Sequence, residues 1–458
     1  MKNRKDKTTL ALARFACELA SDKIPLSAYD AAKKCILDLV AASAAGSSST
    51  AAMAVLDMSE RLFSSGRSDV WFSGKTFNAP GAAYVNSTFA SALDLDDGHR
   101  EAMGHPGASI IPAALAVAQE TNASGRELLA AIIIGYEVAV RVAAARDHAA
   151  QDTLATGRWC AYGASAAGGR LRHMPPKKLT EAFAVAGVHA PGLSAAGYSQ
   201  VMGNSAKEGI PWATLTGLSA LWLVDKGFTG PTDILDHADY YDSNKIISGL
   251  GNIFAVEKVY FKPYACCRWI HSAIDALFLI MAENDLDSDM ISNIEVHTFE
   301  RALRLNNYPI PNSLEDAQYS IPFCMAVAAI EGKEGLLPIT PTLLSRKDIV
   351  SFAHKIQLYP DQKLDRLFPA MVPARVIAHT KKGAFEKLVK SPKGDLSNPM
   401  NFSEIENKLR RLSRQNRSGT FPGKILDVVN SLESSALLLI IVFSGNLGFG
   451  PGRQAAMT

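Results

Sequence analysis

Between Asp94 and Ser109 the chain reads DLDDGHREAMGHPGAS, with three aspartates, two histidines and an arginine set in alanine-rich, apolar sequence. Asp94, Asp96 and Asp97 follow the apolar run VNSTFASALDL. At the carboxyl end of a helix the dipole disfavours negative charge. Carboxylates placed there need a cationic partner or a functional reason, or else they form a solvated helix end. His99 and His105 follow in a turn-like segment between Gly98 and Gly107, ahead of a helix expected from about Ala108. Imidazole titrates near neutrality, which suits proton transfer. A divalent metal site of mixed His and Asp ligands and an ordinary polar turn are the other readings. No HxH or HExxH spacing accompanies the cluster.

A second concentration lies in FKPYACCRWIHSAIDAL, Phe261 to Leu277, which holds Lys262, Arg268 and His271. Arg268 and His271 share one face if the chain is helical from Cys266. A guanidinium pairs bidentately with carboxylates, whereas a lysine supplies a point charge. Lys207, in GNSAKEGIPWA, is a third cation in an otherwise apolar setting. Solvated surface cations are the plain alternative for all three. There is no Ser/His/Asp order, no GxSxG elbow and no GxGxxG after a strand, so neither a hydrolase triad nor a dinucleotide site is indicated.

The elements that must position these groups are mostly helices. Leu10–Leu19 and Ala28–Ala45 repeat apolar residues at spacings of three and four. Ser124-Gly-Arg-Glu127 is a capping box opening a helix toward Arg141, and Ala182–Leu193 and Trp212–Val224 predict two more. GASAAGGR (Gly163 to Arg170) lacks a P-loop ending and predicts close helix packing instead. After Val259 the texture changes. Ile294, Val296 and Thr298 alternate with Asn293, Glu295 and His297, a strand pattern, and Pro373–Thr380 is another. Turn-rich SPKGDLSNP leads into a polar helix near Ser403, where Ser403-Glu-Ile-Glu406 predicts a second capping box. The expected architecture is mainly α: residues 1–258 and 396–458 form a helical domain, and residues 259–395 an inserted α+β domain.

Composition is ordinary for a globular chain: 458 residues, 48% apolar, 20% charged, net charge +2. That balance gives no global field for nucleic acid or an acidic membrane. The six cysteines show no zinc or CxxC spacing and read as buried free thiols of a reducing compartment. The basic MKNRKDK is followed by an apolar run broken by Arg14 and Glu18, unlike a signal sequence. The longest apolar run, Ala436–Phe443, falls far short of the roughly 20 residues a bilayer span needs. A soluble cytoplasmic protein with an atypical glycine-rich terminus is expected.

ALDLDDGHREAMGHPGASIIPAALA resembles the signature of the MmgE/PrpD family. GNSAKEGIPWATLTGLSALWLVDKGFTGPTDIL resembles that family's lysine-bearing helix and GFTGP turn, and FKPYACCRWIHSAIDAL its K-x-Y/F-x-x-C-R-x-x-H segment. PARV with KSPKGDLSNPM resembles its late hairpin and return to helix, so the likeness runs to about residue 430. The resemblance implies a large helical domain built from both chain ends, an inserted α+β lid, a site in the cleft between them and a homodimer. It implies chemistry on small di- and tricarboxylates with no cofactor and no metal.

Residue by residue, Asp94 matches the first aspartate of D-x-D-D, His105 the histidine of HPG, Lys207 the lysine of the middle helix and Lys262 the lysine opening the lid segment. Arg268 and His271 match the motif's arginine and histidine. The implied roles are catalytic for His105, Asp94, Lys207 and Lys262, and substrate-binding for Arg268, His271, His99 and Tyr136. His99, Tyr136 or His271 supplies a second proton-transfer group. Decarboxylating members carry a threonine where this chain has Gly98, and differ from it at Leu154, Ala155 and Phe323. These departures argue against decarboxylation and leave dehydration or epimerisation open, with 2-methylcitrate dehydratase-like dehydration the expected activity. Epimerisation of an iminodisuccinate-like acid, a non-catalytic carboxylate-binding paralogue and a metal-dependent hydrolase remain alternatives.

Overall fold

The structure, a computed structural model, describes residues 8–147, 153–191, 203–414 and 420–435. Its first half is a stack of helices: α1 (Thr8–Glu18), α2 (Leu26–Gly46), α3 (Thr50–Leu62), α4 (Ala79–Ser91), α5 (Gly107–Thr121), α6 (Gly125–Ala144), α7 (Cys160–Leu171), α8 (Pro176–His189) and α9 (Ile210–Asp225). Helix α5 is buried on all sides from Gly107 to Gln119, as expected of a helix that is apolar all round. It packs between α4, α6, α7 and α9. Ser124 and Glu127 close the expected capping box of α6. The glycines of GASAAGGR lie inside α7. A Cβ at Gly163 would stand 2.7 Å from the Ala139 Cβ and 2.8 Å from the Gly135 carbonyl, so small residues there do allow α6 and α7 to approach closely.

Among the described residues the strands form two short two-stranded ribbons and one four-stranded sheet. Strands β1 (Ser68–Val70) and β2 (Lys75–Phe77) form an antiparallel ribbon. Strands β3 (Gly98–His99) and β4 (Val259–Tyr260) pair antiparallel, Gly98 opposite Tyr260 and His99 opposite Val259. This two-residue ladder fastens the aspartate-rich loop to the stretch that carries Lys262. The larger sheet has the order β6 (Ile356–Pro360), β5 (Ile291–Thr298), β7 (Ala374–Thr380) and β8 (Gly383–Val389). β5 and β6 are parallel, and β7 pairs antiparallel with β5 and β8. The alternation seen in β5 is real. Ile294, Val296 and Thr298 are buried, and the helix His271–Glu283 packs across β7 and β8.

Downstream, the helix Phe402–Leu412 returns to the first half and packs on α2. The second capping box is displaced from its expected place. Asn401, not Ser403, caps the helix, and Glu404 reaches back to it. Asn is as good a cap as Ser, and the helix, starting two residues earlier, buries Ile405, Leu409 and Leu412. Lys207 also departs from its expected helix. It stands on a turn, Lys207–Gly209, that precedes α9. All six cysteines are free thiols. Among the described residues no single helix is long and apolar enough to cross a membrane. The basic start and the apolar, glycine-rich end both lie outside the described residues.

Candidate functional site

The aspartate loop is shaped by backbone that most residues avoid. Asp94 follows α4 in the left-handed region, φ 53°. A non-glycine residue there is uncommon and marks a constrained position. Three residues on, the buried Asp97 accepts the Gly107 N–H at 2.9 Å and the Tyr136 hydroxyl at 2.5 Å. Its carboxylate therefore sits at the amino end of α5, where the dipole favours it. Any side chain at residue 107 would reach within 2.7 Å of the Tyr136 hydroxyl and both Asp97 oxygens, which explains the glycine of HPG. Burial still pushes Asp97 up to about 7, because Asp38 and Asp96 add negative charge against the help of Tyr136 and Gly107.

His105 hangs from the same loop among carboxylates. Its Nδ1 lies 2.9 Å from the Asp97 carbonyl oxygen and 3.4 Å from Asp96 Oδ2, and its Nε2 lies 3.7 Å from Asp94 Oδ1. Burial favours the neutral ring, but Asp96 and then Asp94 outweigh both burial and Lys262, lifting His105 to about 9. At neutral pH the ring is an imidazolium, so its Nδ1–H donates to the Asp97 carbonyl and its Nε2–H is the proton available for chemistry. Its side chain is 13% exposed, whereas that of Lys262 is wholly buried.

Lys262 is the cation that the carboxylate at Asp94 calls for. Its ammonium meets Asp94 Oδ1 at 3.0 Å. Burial raises the Asp94 pKa, yet Lys262, His105 and Lys207 together hold it down at about 2. Lys207 is also buried. Its ammonium donates to the Gln318 side-chain oxygen and lies 5.5 Å from the centre of the Tyr319 ring. Lys207, Glu208 and Gly209 all have positive φ, so three successive left-handed residues aim this lysine. The turn is anchored to His105. Glu208 accepts the Thr156 hydroxyl at 2.6 Å and the Thr156 N–H at 2.9 Å, while the Thr156 hydroxyl oxygen accepts the His105 N–H at 3.1 Å. Thr156→Val breaks both hydroxyl links. The expected outcome is a roughly tenfold loss of turnover with a stability loss of about 1 kcal/mol, the usual size for one buried hydrogen bond. Steady-state kinetics and chemical denaturation read the two effects.

The structure thus brings together Asp94, His105, Lys262 and Lys207, and engages the other sequence candidates elsewhere. Arg268 donates to His271 Nδ1 at 3.0 Å and to the Lys393 and Pro392 carbonyls, and pairs with Asp395 at 3.3 Å. Asp395 also takes a bidentate grip from Arg100, and the Tyr260 ring lies against both guanidiniums. His271 is fully buried between Arg268 and the Cys266 carbonyl, and burial with the Arg268 charge drives it well below its ordinary pKa. His99 is buried and neutral, pushed down to about 4 by burial, with Glu101 and Lys258 as its charged neighbours. Tyr136 serves Asp97. Sequence reasoning passed over Asp96 as a partner of His105, and Thr156, Glu208 and Gln318 altogether. None of those three carries a spacing signal, because their partners lie 51 to 111 residues away.

The donor atoms of Asp94, Asp96 and His105 lie within 4.8 Å of one another, a set of the type that holds a divalent ion. Here, however, an ammonium already rests on Asp94, and the Lys207 charge also bears on it. That arrangement suits an organic anion better than a second cation.

Two family models cover the chain: one described as the MmgE/PrpD N-terminal domain matches residues 10–242, and one described as the MmgE/PrpD C-terminal domain matches residues 264–420. The chain belongs to the MmgE/PrpD family. Cis-aconitate decarboxylase of Aspergillus terreus (strain NIH 2624 / FGSC A1156) is 25% identical over 465 residues, covering 94% of each chain. The cis-aconitate decarboxylase-like protein oryM of Aspergillus oryzae (strain ATCC 42149 / RIB 40) is 25% identical over 486 residues, covering 96% of this chain and 98% of its own. In MmgE/PrpD terms the N-terminal match carries Asp94, His105 and Lys207, and the C-terminal match Arg268 and His271. Lys262 falls between the two matched stretches, so its place beside Asp94 rests on geometry.

Proposed function

We propose that this chain removes a proton from a carbon next to a carboxylate on a small di- or tricarboxylate, with loss of water from the neighbouring carbon. The observation that carries the reading is an imidazolium and two buried lysines gathered around the Asp94 carboxylate. A carbanion beside a carboxylate spreads its charge onto the carboxylate oxygens, and preorganised cations in a dry site stabilise that charge far better than water does. In this reading Lys262 holds a substrate carboxylate. Lys207 is the base: as the neutral amine that burial favours against the pull of Asp94, it takes the substrate proton and becomes the ammonium that offsets the developing charge. The C–H electrons form the new C=C bond, the C–O bond breaks, and the departing hydroxide takes the Nε2 proton of His105 to leave as water. Residues 259–395 form the lid over the site, and residues 1–258 with 396–458 form the body that bears it.

A second reading is decarboxylation, favoured by the names of the relatives. Against it stands Gly98. A Cβ there would come within 2.3 Å of the Tyr260 ring and hydroxyl, so the threonine expected of decarboxylating members has no room. Incubation with a panel of di- and tricarboxylates in D₂O separates the readings. Water loss with deuterium at the adjacent carbon supports dehydration. Exchange alone indicates epimerisation, CO₂ release decarboxylation, and saturable binding without exchange a non-catalytic paralogue. Full activity after exhaustive chelation removes the metal-dependent hydrolase. The family likeness also carries the proposal of a cytoplasmic homodimer, which light scattering tests for its subunit number.

A further inference from the structure

We propose that Lys408, on the helix Phe402–Leu412, is a positioning residue for the catalytic loop, its ammonium holding the Leu95 carbonyl between Asp94 and Asp96. The inference rests on the proposed chemistry for its kinetic consequence, but not for its structural one.

Lys408 is 2% exposed and lies on the buried face of the helix Phe402–Leu412, one residue before Leu409 and three after Ile405. Its Nζ donates to Asp38 Oδ1 at 2.6 Å and to the Leu95 carbonyl oxygen at 2.6 Å. Packing does not require a charge there, since replacing a buried ion pair with apolar groups is often neutral or stabilising. What only an ammonium supplies is a donor that reaches both α2 and the loop. The loop contact falls on the one peptide carbonyl flanked by the two acids that surround His105. It also lies directly after Asp94, whose left-handed backbone needs an outside hold. Apart from its charge effect on Asp97, Asp38 pairs with Lys408 alone among the described residues. Its second oxygen, Oδ2, is buried with no hydrogen-bond partner, and its neighbours in charge are Lys408, Asp96 and Lys262. Asp38 is thus the counter-ion that lets an ammonium be buried behind the site.

Removing Lys408 leaves Asp38 free to take up a proton, so the net charge behind the loop changes little. The loss falls on geometry: the peptide between the acids relaxes, and Asp94 and Asp96 drift from the ring. The groups whose charges act on His105 are Asp94, Asp96 and Lys262. Lys408→Met is therefore expected to lower kcat about 10–100-fold with KM within about threefold, and to lower the His105 pKa by about one unit, read by NMR of the ring-labelled full chain. A folded Lys408→Met with kcat within about twofold of wild type and an unchanged His105 titration overturns the proposal. If this variant does not fold, Asp38→Asn decides, because it keeps the shape and frees the ammonium from its anchor. The same directions at about threefold in kcat support the proposal, and no change in either readout overturns it. The His105 titration needs no substrate, so it tests the positioning role even if every carboxylate in the panel is left unturned.

Discussion

His105→Ala should lower turnover by about 10² to 10⁴, the range for loss of a general acid or base, while the protein still melts as a single folded species. The fold survives because His105 keeps an exposed edge, and its backbone N–H, which Thr156 holds, is retained by alanine. The same side chain fixes the sign of the pH dependence. With His105 lifted to about 9, an acid role requires kcat/KM to fall as pH rises through about 9, whereas a base role requires it to rise there. The stability linkage runs the same way. The raised pKa contributes stability in full below the unfolded value of about 6.5, and that contribution is lost as pH climbs through about 9. A variant with unchanged turnover, or a wild-type profile flat between pH 8 and 10, removes His105 from the mechanism.

Lys262→Met should be worse than any surface change in both activity and stability. It leaves the Asp94 carboxylate buried without its closest cation, and breaking a buried pair from one side typically costs about 3–5 kcal/mol. Asp94, held at about 2 by Lys262, His105 and Lys207 against burial, would then titrate upward. In the wild type its depressed pKa contributes stability above about 3.9, lost as pH falls through about 2. Activity should drop at least about 10³-fold, since a transition-state cation and the geometry of Asp94 go together. The double variant Lys262→Met, Asp94→Asn separates the two effects: it should regain most of the stability and none of the turnover, measured by denaturant unfolding and kinetics. A double variant as unstable as the single one shows that Lys262 supports the fold by something other than the pair.

How much of this was legible in the sequence depends on range. The helices from Leu10 to Val224 and the strands at 291–298 and 374–380 follow from local periodicity, and the Ser124 cap from a four-residue motif. The HPG glycine and the aspartate cluster were visible as chemistry. Their division of labour was not. Asp97 faces α5 and Tyr136, whereas Asp94 and Asp96 face His105, a split set by one left-handed residue and by partners far along the chain. Arg268 and His271 looked like a substrate pair at helical spacing. They do meet, but with each other and with the 392–395 turn. Lys408 alone carried a readable sign, a charge on the apolar stripe of its helix. Thr156 and Glu208 carried none, because a hydroxyl and a carboxylate on turns are commonplace until the fold places them side by side.

The chain of contacts from Asp38 and Asp94 through Thr156, Glu208 and Lys262 to Lys408 joins α2, the aspartate loop, the turns at 156 and 207–209, the stretch after β4 and the helix Phe402–Leu412. No shorter piece holds enough of it to act. During refolding, turnover should therefore return only once the helix Phe402–Leu412 has docked, and a chain shortened before residue 402 should bind acids poorly however well its bundle forms.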